Sequence, residues 1–454
     1  MKLFGTSGVR GVVGEELTAD FILELGMAIG TCLPAKSRVC VASDPRLSRD
    51  LVKTSLNAGI MSAGVNVVDL GILPTPALAF LTKNLNFVTG IMITASHNPP
   101  QFNGIKLWDP STIGYSPEQE EKIEDVYYKK AFRTVSWDHL GQLSVNHTAR
   151  EEYFKAIQKR ISLKTDLNIV VDPGNGAASQ FATDLFRKMG IAVLPLNDIP
   201  DGTFPNRASE PREDTLTETV QYLKDENADI AVCFDGDADR VVFCDEKGFI
   251  GYNEMISFIS YLAVRKAEKA SRKTVATTVE TGRLLDHAAA RAGAEVVRGK
   301  VGDVAVAYLL REYQSLIGVE QVGVYILPEI GMHPDTFFAT LFLLQNIEDP
   351  SEIRTFISSL PRMHFAKTGI SCPNDKKQKV MRNVEPQISR LNPDDTNFLD
   401  GIRLEFSDSW LLIRPSGTEP LIRVICESES EQKMKTLLNE GKTLVENVLQ
   451  KVDP

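Results

Sequence analysis

Short apolar runs rich in β-branched residues alternate along the chain with longer stretches whose apolar positions recur every three or four residues. The runs at 39–42, 65–70, 90–94, 168–171, 191–196, 230–234, 241–244 and 274–279 read as strands. The stretches at 18–33, 149–160, 178–189 and 253–269 read as amphipathic helices. This alternation predicts α/β units on parallel or mixed sheets. No repeat of solenoid period is present, but strand–loop–helix blocks recur at domain spacing, so several related α/β domains are expected. A charged stretch at 118–150 separates the first block from the second, and 248–253 opens a third. Beyond 347–363 the pattern changes. Residues 403–406 and 409–413 read as paired strands, 421–428 as another, and 431–451 as a closing helix, which together predict a smaller α+β domain. The expected domains are 1–150, 151–252, 253–362 and 363–454.

Composition narrows the function classes. The 454 residues suit three or four domains, and 43% hydrophobic against 24% charged residues excludes a mostly disordered chain. Lys plus Arg total 50 and Asp plus Glu 60, a net charge of −10 that lacks the basic footprint of a nucleic-acid binder. No apolar run approaches the ~18 residues of a membrane span, and no signal core precedes Arg10. The six cysteines form no CxxC pair, so buried reduced thiols and a cytoplasmic protein are expected.

Four segments carry candidate chemistry. Asp235-Gly236-Asp237-Ala238-Asp239-Arg240 lies between two apolar strand-like runs. Three carboxylates at alternate positions repel unless a cation sits among them, and hard oxygen ligands in this number suit Mg²⁺. A calcium loop fits poorly, because Arg240 stands where its sixth-position glycine belongs. An aspartyl phosphatase using Asp235 and a plain solvated acidic turn remain as competing readings. Thr94-Ala95-Ser96-His97-Asn98-Pro99-Pro100 places a hydroxyl on a proline-fixed loop after a strand, as either ordinary turn chemistry or a nucleophile. Lys106 follows within loop reach, as a surface charge or an acid/base group beside phosphate. Arg414-Pro415-Ser416-Gly417-Thr418-Glu419-Pro420, with Arg423, offers two cations, two hydroxyls and a glycine, the makings of a phosphate cradle rather than a mere hairpin turn. Gly5-Thr6-Ser7-Gly8-Val9-Arg10-Gly11 is glycine-rich but matches neither nucleotide-binding fingerprint.

In this order and together, GTSGVRG, TASHNPP, DGDADR and RPSGTEP resemble the α-D-phosphohexomutase superfamily over essentially the whole chain. The likeness is greatest to its phosphoglucosamine mutase and archaeal phosphomannomutase/phosphoglucomutase branches. The resemblance implies four domains around a central cleft, three related α/β domains with mixed sheets and a smaller C-terminal α+β domain. It implies a phosphoserine at Ser96 and Mg²⁺ on Asp235, Asp237 and Asp239, with the Ser96 phosphate as a further ligand. Arg10, His97, Lys106 and Arg240 resemble the charged residues around the transferring group, Lys106 as acid/base candidate. Arg414, Ser416, Gly417, Thr418 and Arg423 resemble the cradle of the other phosphate. The implied activity moves phosphate between C1 and C6 of a glucosamine, mannose or glucose phosphate through a sugar bisphosphate, which also primes the serine. A monomer or homodimer acting on a small sugar phosphate is expected, without nucleic-acid or membrane partners. The alternatives are a phosphopentomutase of the same superfamily, an aspartyl phosphatase, or a non-catalytic sugar-phosphate binder.

One loop departs from the pattern. Gly318-Val319-Glu320-Gln321-Val322-Gly323-Val324 keeps the sugar-reading Glu320, but Val322 replaces the usual polar residue and Val324 the usual His or small residue. The Asp-Gly expected before the next helix is Asp335-Thr336. His333, a lone loop histidine, is expected to be exposed.

Overall fold

The computed structural model of the chain describes residues 3–5, 8–267, 273–417 and 419–452. The chain divides into two compact units, residues 1–255 with 322–352, and residues 256–321 with 353–454.

Two mixed sheets organise the first unit. One runs in the order Val9–Val12, Phe102–Trp108, Thr89–Ile93, Arg38–Ser43, Asn66–Ile72, Leu143–Val145. Its middle strands are parallel, and Phe102–Trp108 is antiparallel to both of its neighbours. The other runs Gly248–Ile250, Val241–Asp245, Ile230–Phe234, Asn168–Asp172, Ala192–Pro195, with Val241–Asp245 antiparallel to both neighbours. Thr89–Ile93, Ile230–Phe234 and Val241–Asp245 are buried at every position. Apart from Thr89 and Asp245 at their ends, their sequences are therefore apolar runs rather than alternating ones, because both faces are covered.

In the second unit, Thr274–Thr278 lies parallel between Glu295–Gly299 and Ile317–Glu320. The C-terminal sheet is antiparallel, ordered His364–Ser371, Leu421–Ser428, Ser409–Pro415, Ile402–Phe406, Asp395–Asn397. The helices Lys377–Val384 and Glu431–Val452 share its core through Val380, Val384, Leu437 and Val445.

The stretch read as a charged separator at 118–150 carries structure of its own. Pro117–Tyr128 is a helix opened by a Ser116–Gln119 capping box, and it buries Glu120 and Ile123 while Glu118, Glu121, Lys122 and Asp125 are exposed. Leu143–Val145 completes the edge of the first sheet. Helices Arg49–Ser62 and Thr75–Asn84 and the strand Phe102–Trp108 also go beyond the sequence reading. Five of the six cysteines are buried, all six are free, and Cys32 is exposed. Among the described residues no helix is long and apolar enough to cross a membrane.

Helices Ala19–Cys32 and Arg49–Ser62 meet through glycine. A Cβ on Gly59 would lie 2.2 Å from the Leu23 carbonyl oxygen and 2.7 Å from the Met27 nitrogen, and one on Gly26 would lie 2.4 Å from the Leu56 carbonyl oxygen. On an open helix, replacing glycine by alanine gains about 1 kcal/mol. Here the backbones have to part, so Gly59→Ala is expected to destabilise the protein by about 1–3 kcal/mol. A fall in the urea midpoint checks this, whereas an unchanged or raised midpoint contradicts it.

Candidate active site

The densest chemistry in the first unit gathers where its two sheets present their loops. Asp235, Asp237 and Asp239 occupy the turn between Ile230–Phe234 and Val241–Asp245, with Ala238 in the left-handed region at φ 59°. One carboxylate oxygen from each lies within 4.8 Å of the others; Asp235 and Asp237 are fully buried and the Asp239 side chain is 13% exposed. A solvated acidic turn is thereby excluded.

Neighbouring elements supply the counter-charge. Lys106 projects from Phe102–Trp108 and pairs with Asp237 at 2.9 Å and Asp239 at 2.8 Å. Burial works against its charge, yet the two carboxylates outweigh that cost and raise its pKa. Thr75, at the start of the helix Thr75–Asn84, donates its hydroxyl to Asp237 Oδ2 at 2.7 Å and its backbone N–H to the Asp237 carbonyl at 2.9 Å. Burial alone would push the Asp237 carboxyl up, but Lys106 and Thr75 hold it below the ordinary carboxylate range. Asp235 goes the other way: burial, then Asp239 and Asp237, raise it well above its usual value.

Ser96 lies past the end of Thr89–Ile93, itself left-handed at φ 52°, and donates its hydroxyl to Asp235 Oδ2 at 2.7 Å. His97 Nδ1 is 3.3 Å from the same hydroxyl. Burial, then Arg240, Arg10 and Lys106, push His97 down to about 2, so its ring is neutral. Arg10, on Val9–Val12, donates to Asn98 Oδ1 at 3.0 Å and is half-buried, its pKa lowered by desolvation against the pull of Asp237 and Asp239. Arg240 lies 3.7 Å from Glu210 and 4.0 Å from Asp239. The first unit thus brings together Ser96, His97, Lys106, Arg10, Arg240 and the three aspartates.

A divalent cation fits these residues. Asp237 Oδ1 and Asp239 Oδ1 are buried with no hydrogen-bond partner among the described residues, and the donor set is hard oxygen. Lone pairs left unmet in a buried site are costly unless an ion takes them.

The other expected residues belong to the second unit. Glu320 ends the strand Ile317–Glu320, buried, and its Oε1 accepts from the Gly302 N–H at 2.9 Å. Arg414 is also buried, its guanidinium paired with Glu280 at 3.0 Å and Asp400 at 2.9 Å. Ser416 Oγ accepts from the Glu419 N–H at 3.2 Å, Gly417 is exposed, and Arg423 pairs with Glu419 at 2.6 Å. Thr418 lies outside the described residues.

In the first unit, Val324 is buried in the strand Val324–Ile326, so its side chain belongs to the core, while Val322 is half-buried. His333 corrects the expectation of exposure: it is 1% exposed, with its Nε2 3.5 Å from Asp335. Asp335 caps the helix Thr336–Gln345 and accepts from the buried Tyr153 hydroxyl, and this packing draws the histidine inward.

Sequence reasoning passed over Thr75, Arg46, Asp44 and Lys377. Lys377 Nζ donates to the carbonyls of Ser416 at 2.7 Å and Glu419 at 2.5 Å, holding that loop from beneath. The missed signals were a Thr-Pro pair opening a helix and an Asp-x-Arg directly after the strand at 39–42.

Comparison with known proteins gives the family. The family models for phosphoglucomutase/phosphomannomutase match in four consecutive parts: alpha/beta/alpha domain I over residues 1–134, domain II over 151–248, domain III over 251–360, and the C-terminal domain over 370–441. A "probable phosphoglucosamine mutase" of Pyrococcus abyssi is 39% identical, with 99% of each chain covered. A phosphoglucomutase/phosphomannomutase of Thermococcus kodakarensis is 37% identical, again over 99% of each. The crystal structure of a phosphoglucomutase/phosphomannomutase family protein from Burkholderia thailandensis superposes with a TM-score of 0.87 at 26% identity, covering 98% of this chain and 97% of that one. The chain belongs to the phosphoglucomutase/phosphomannomutase family.

The pairing of Lys106 with two buried carboxylates gives a direct test. Removing one partner of a buried ion pair typically costs about 3–5 kcal/mol, so Lys106→Met is expected to lose stability on that scale in the presence of a chelator. Added Mg²⁺ is expected to recover part of the loss by neutralising the stranded aspartates. Thermal unfolding of both proteins with and without Mg²⁺ reads this out. A Lys106→Met deficit that Mg²⁺ leaves untouched contradicts the cation assignment.

Proposed function

We propose that this chain is a phosphosugar mutase that moves phosphate between C1 and C6 of a hexose or hexosamine phosphate through a phosphoserine at Ser96. The observation that carries the reading is the buried Ser96 hydroxyl, held 2.7 Å from one member of a three-carboxylate cluster. Family membership and the relatives named as glucosamine-, glucose- and mannose-phosphate mutases support the substrate class. Hexosamine phosphates rank first within it, because several relatives carry that name.

The residues take the following parts. Phosphoserine gives its phosphoryl group to the free hydroxyl of a sugar monophosphate: the bond between phosphorus and the serine oxygen breaks, and one to the sugar oxygen forms. The sugar hydroxyl loses its proton and the Ser96 oxygen gains one, with Lys106 as the acid/base candidate that the resemblance implies. The resulting bisphosphate turns over, and its other phosphate returns to Ser96 by the same step reversed. Arg10, His97 and Arg240 surround the transferring group and orient it. Asp235, Asp237 and Asp239, with the Ser96 phosphate, would hold Mg²⁺, which when bound would neutralise the phosphoryl oxygens. Such a transfer needs in-line placement and charge neutralisation more than a strong base. Glu320 accepts from sugar hydroxyls, and Arg414, Ser416, Gly417, Thr418 and Arg423 take the phosphate that stays. A cytoplasmic monomer or homodimer completes the reading.

A phosphorus NMR time course tests it. The protein receives Mg²⁺, a trace of sugar bisphosphate, and in turn glucosamine, mannose, glucose, ribose and deoxyribose 1-phosphates. Conversion of a hexose 1-phosphate to its 6-phosphate is expected, abolished in Ser96→Ala and on chelation of Mg²⁺. Inorganic phosphate released by both wild type and Ser96→Ala would favour an aspartyl phosphatase, and a 5-phosphate product a pentose substrate.

A further inference from the structure

A serine at φ 52° is a backbone conformation that L-residues rarely hold unless their surroundings impose it. We infer that Arg46, acting with Asp44, is the positioning residue that imposes this conformation and aims the Ser96 hydroxyl. The inference rests on the reading of Ser96 as phosphoryl carrier.

All five N–H bonds of the Arg46 guanidinium are used on or beside the loop. Nη2 donates to the carbonyls of Ser96 and Asn98, each at 2.8 Å. Nη1 donates to the carbonyls of Pro99 at 2.6 Å and Phe102 at 2.9 Å, and Nε to Asp44 Oδ2 at 2.9 Å. The same carboxylate oxygen accepts the Thr94 hydroxyl at 2.7 Å, and that hydroxyl accepts the Ser96 N–H at 2.8 Å. The hydrogen bonds close a ring: Ser96 N–H to Thr94, Thr94 to Asp44, Arg46 to Asp44, and Arg46 back to the Ser96 carbonyl. Both backbone polar groups of Ser96 are thus fixed by one unit.

Arg46 and Asp44 are fully buried, and the Phe204 ring covers the guanidinium at 5.1 Å. On the far side, a Cβ on Gly236 would stand 2.4 Å from the Ser96 carbonyl oxygen, so the metal turn closes over the clamped peptide. Only a planar five-donor fork meets these acceptors at once; a lysine ammonium offers three donors without the plane. Arg46 touches no reacting atom. Its work is to set where Ser96 Oγ stands, and a misplacement of about 1 Å in such a site costs on the order of 100-fold in rate.

The test uses full-length Arg46→Lys, Arg46→Ala and Thr94→Val with the 1-phosphate selected by the time course above. Mn²⁺ affinity by electron paramagnetic resonance, and unfolding midpoints, are measured beside the rates. Arg46→Lys is expected to lower kcat about 100-fold while KM and Mn²⁺ affinity stay near wild type. Guanidinium chloride below its denaturing range is expected to restore turnover to Arg46→Ala, and equal sodium chloride to leave it low. A folded Arg46→Lys with wild-type kcat, or a loss confined to KM or Mn²⁺ affinity, overturns the proposal, as does a folded Arg46→Ala that guanidinium does not rescue. Where an arginine variant fails to fold, Thr94→Val decides: it keeps the volume and removes only the hydroxyl relay, and an unchanged kcat overturns the proposal. Wild-type protein that never carries a phosphoryl group on Ser96 and isomerises nothing sinks the mutase reading, and the positioning role falls with it. A wild type that isomerises beside an equally active Arg46→Lys sinks the positioning role alone.

Discussion

Three carboxylates buried within reach of one another are the constraint around which the first unit is arranged. Two like charges about 4 Å apart repel by about 4 kcal/mol at an effective dielectric constant of 20, and burial removes the water that would dampen this. No single element carries enough positive charge to answer it. Lys106 comes from one strand, Arg10 from another, Arg240 from the acidic turn itself, and the Thr75 hydroxyl and N–H from a helix start. The two mixed sheets therefore have to present their loops to each other, and the antiparallel placing of Phe102–Trp108 beside Thr89–Ile93 puts Lys106 and Ser96 on that side together. The charge that remains uncompensated is what makes a divalent cation fit.

What the sequence made legible was what chemistry writes locally. The aspartate turn, its two framing strands and the Ser96 loop stand in contiguous segments, and three of the five C-terminal strands, with their closing helix, were readable from pattern alone. Groups whose meaning depends on distant partners stayed hidden. Arg46 looks like an ordinary charged residue until carbonyls some fifty positions later are seen around it. Arg414 reads as a free cation beside a turn, yet Glu280 and Asp400 pair with it from remote segments. His333 misled for the same reason, since Asp335 and Tyr153, which draw it inward, lie together only after folding. The strand Phe102–Trp108 escaped notice because polar Asn103 and Gly104 interrupt it after Phe102 and it carries Lys106, a charge paired with buried carboxylates and not with solvent.

The order of these contacts along the chain has a temporal consequence. The ring that fixes Ser96 draws only on residues up to Phe102, so it can close early in synthesis. The base of the aspartate turn is gripped next, by Arg207 on the Phe234 carbonyl and on Asp172. Its remaining braces arrive much later: the Val241 N–H donates to the Gly323 carbonyl, and the Thr336 hydroxyl to the Ala238 carbonyl. Between these two stages the ribosome makes the whole of 256–321, which belongs to the other compact unit and takes on the order of several seconds at typical elongation rates. In chain order, the residues that fix the serine are complete before the acidic turn opposite has its last supports. The acidic turn is completed by residues that lie far from it in sequence.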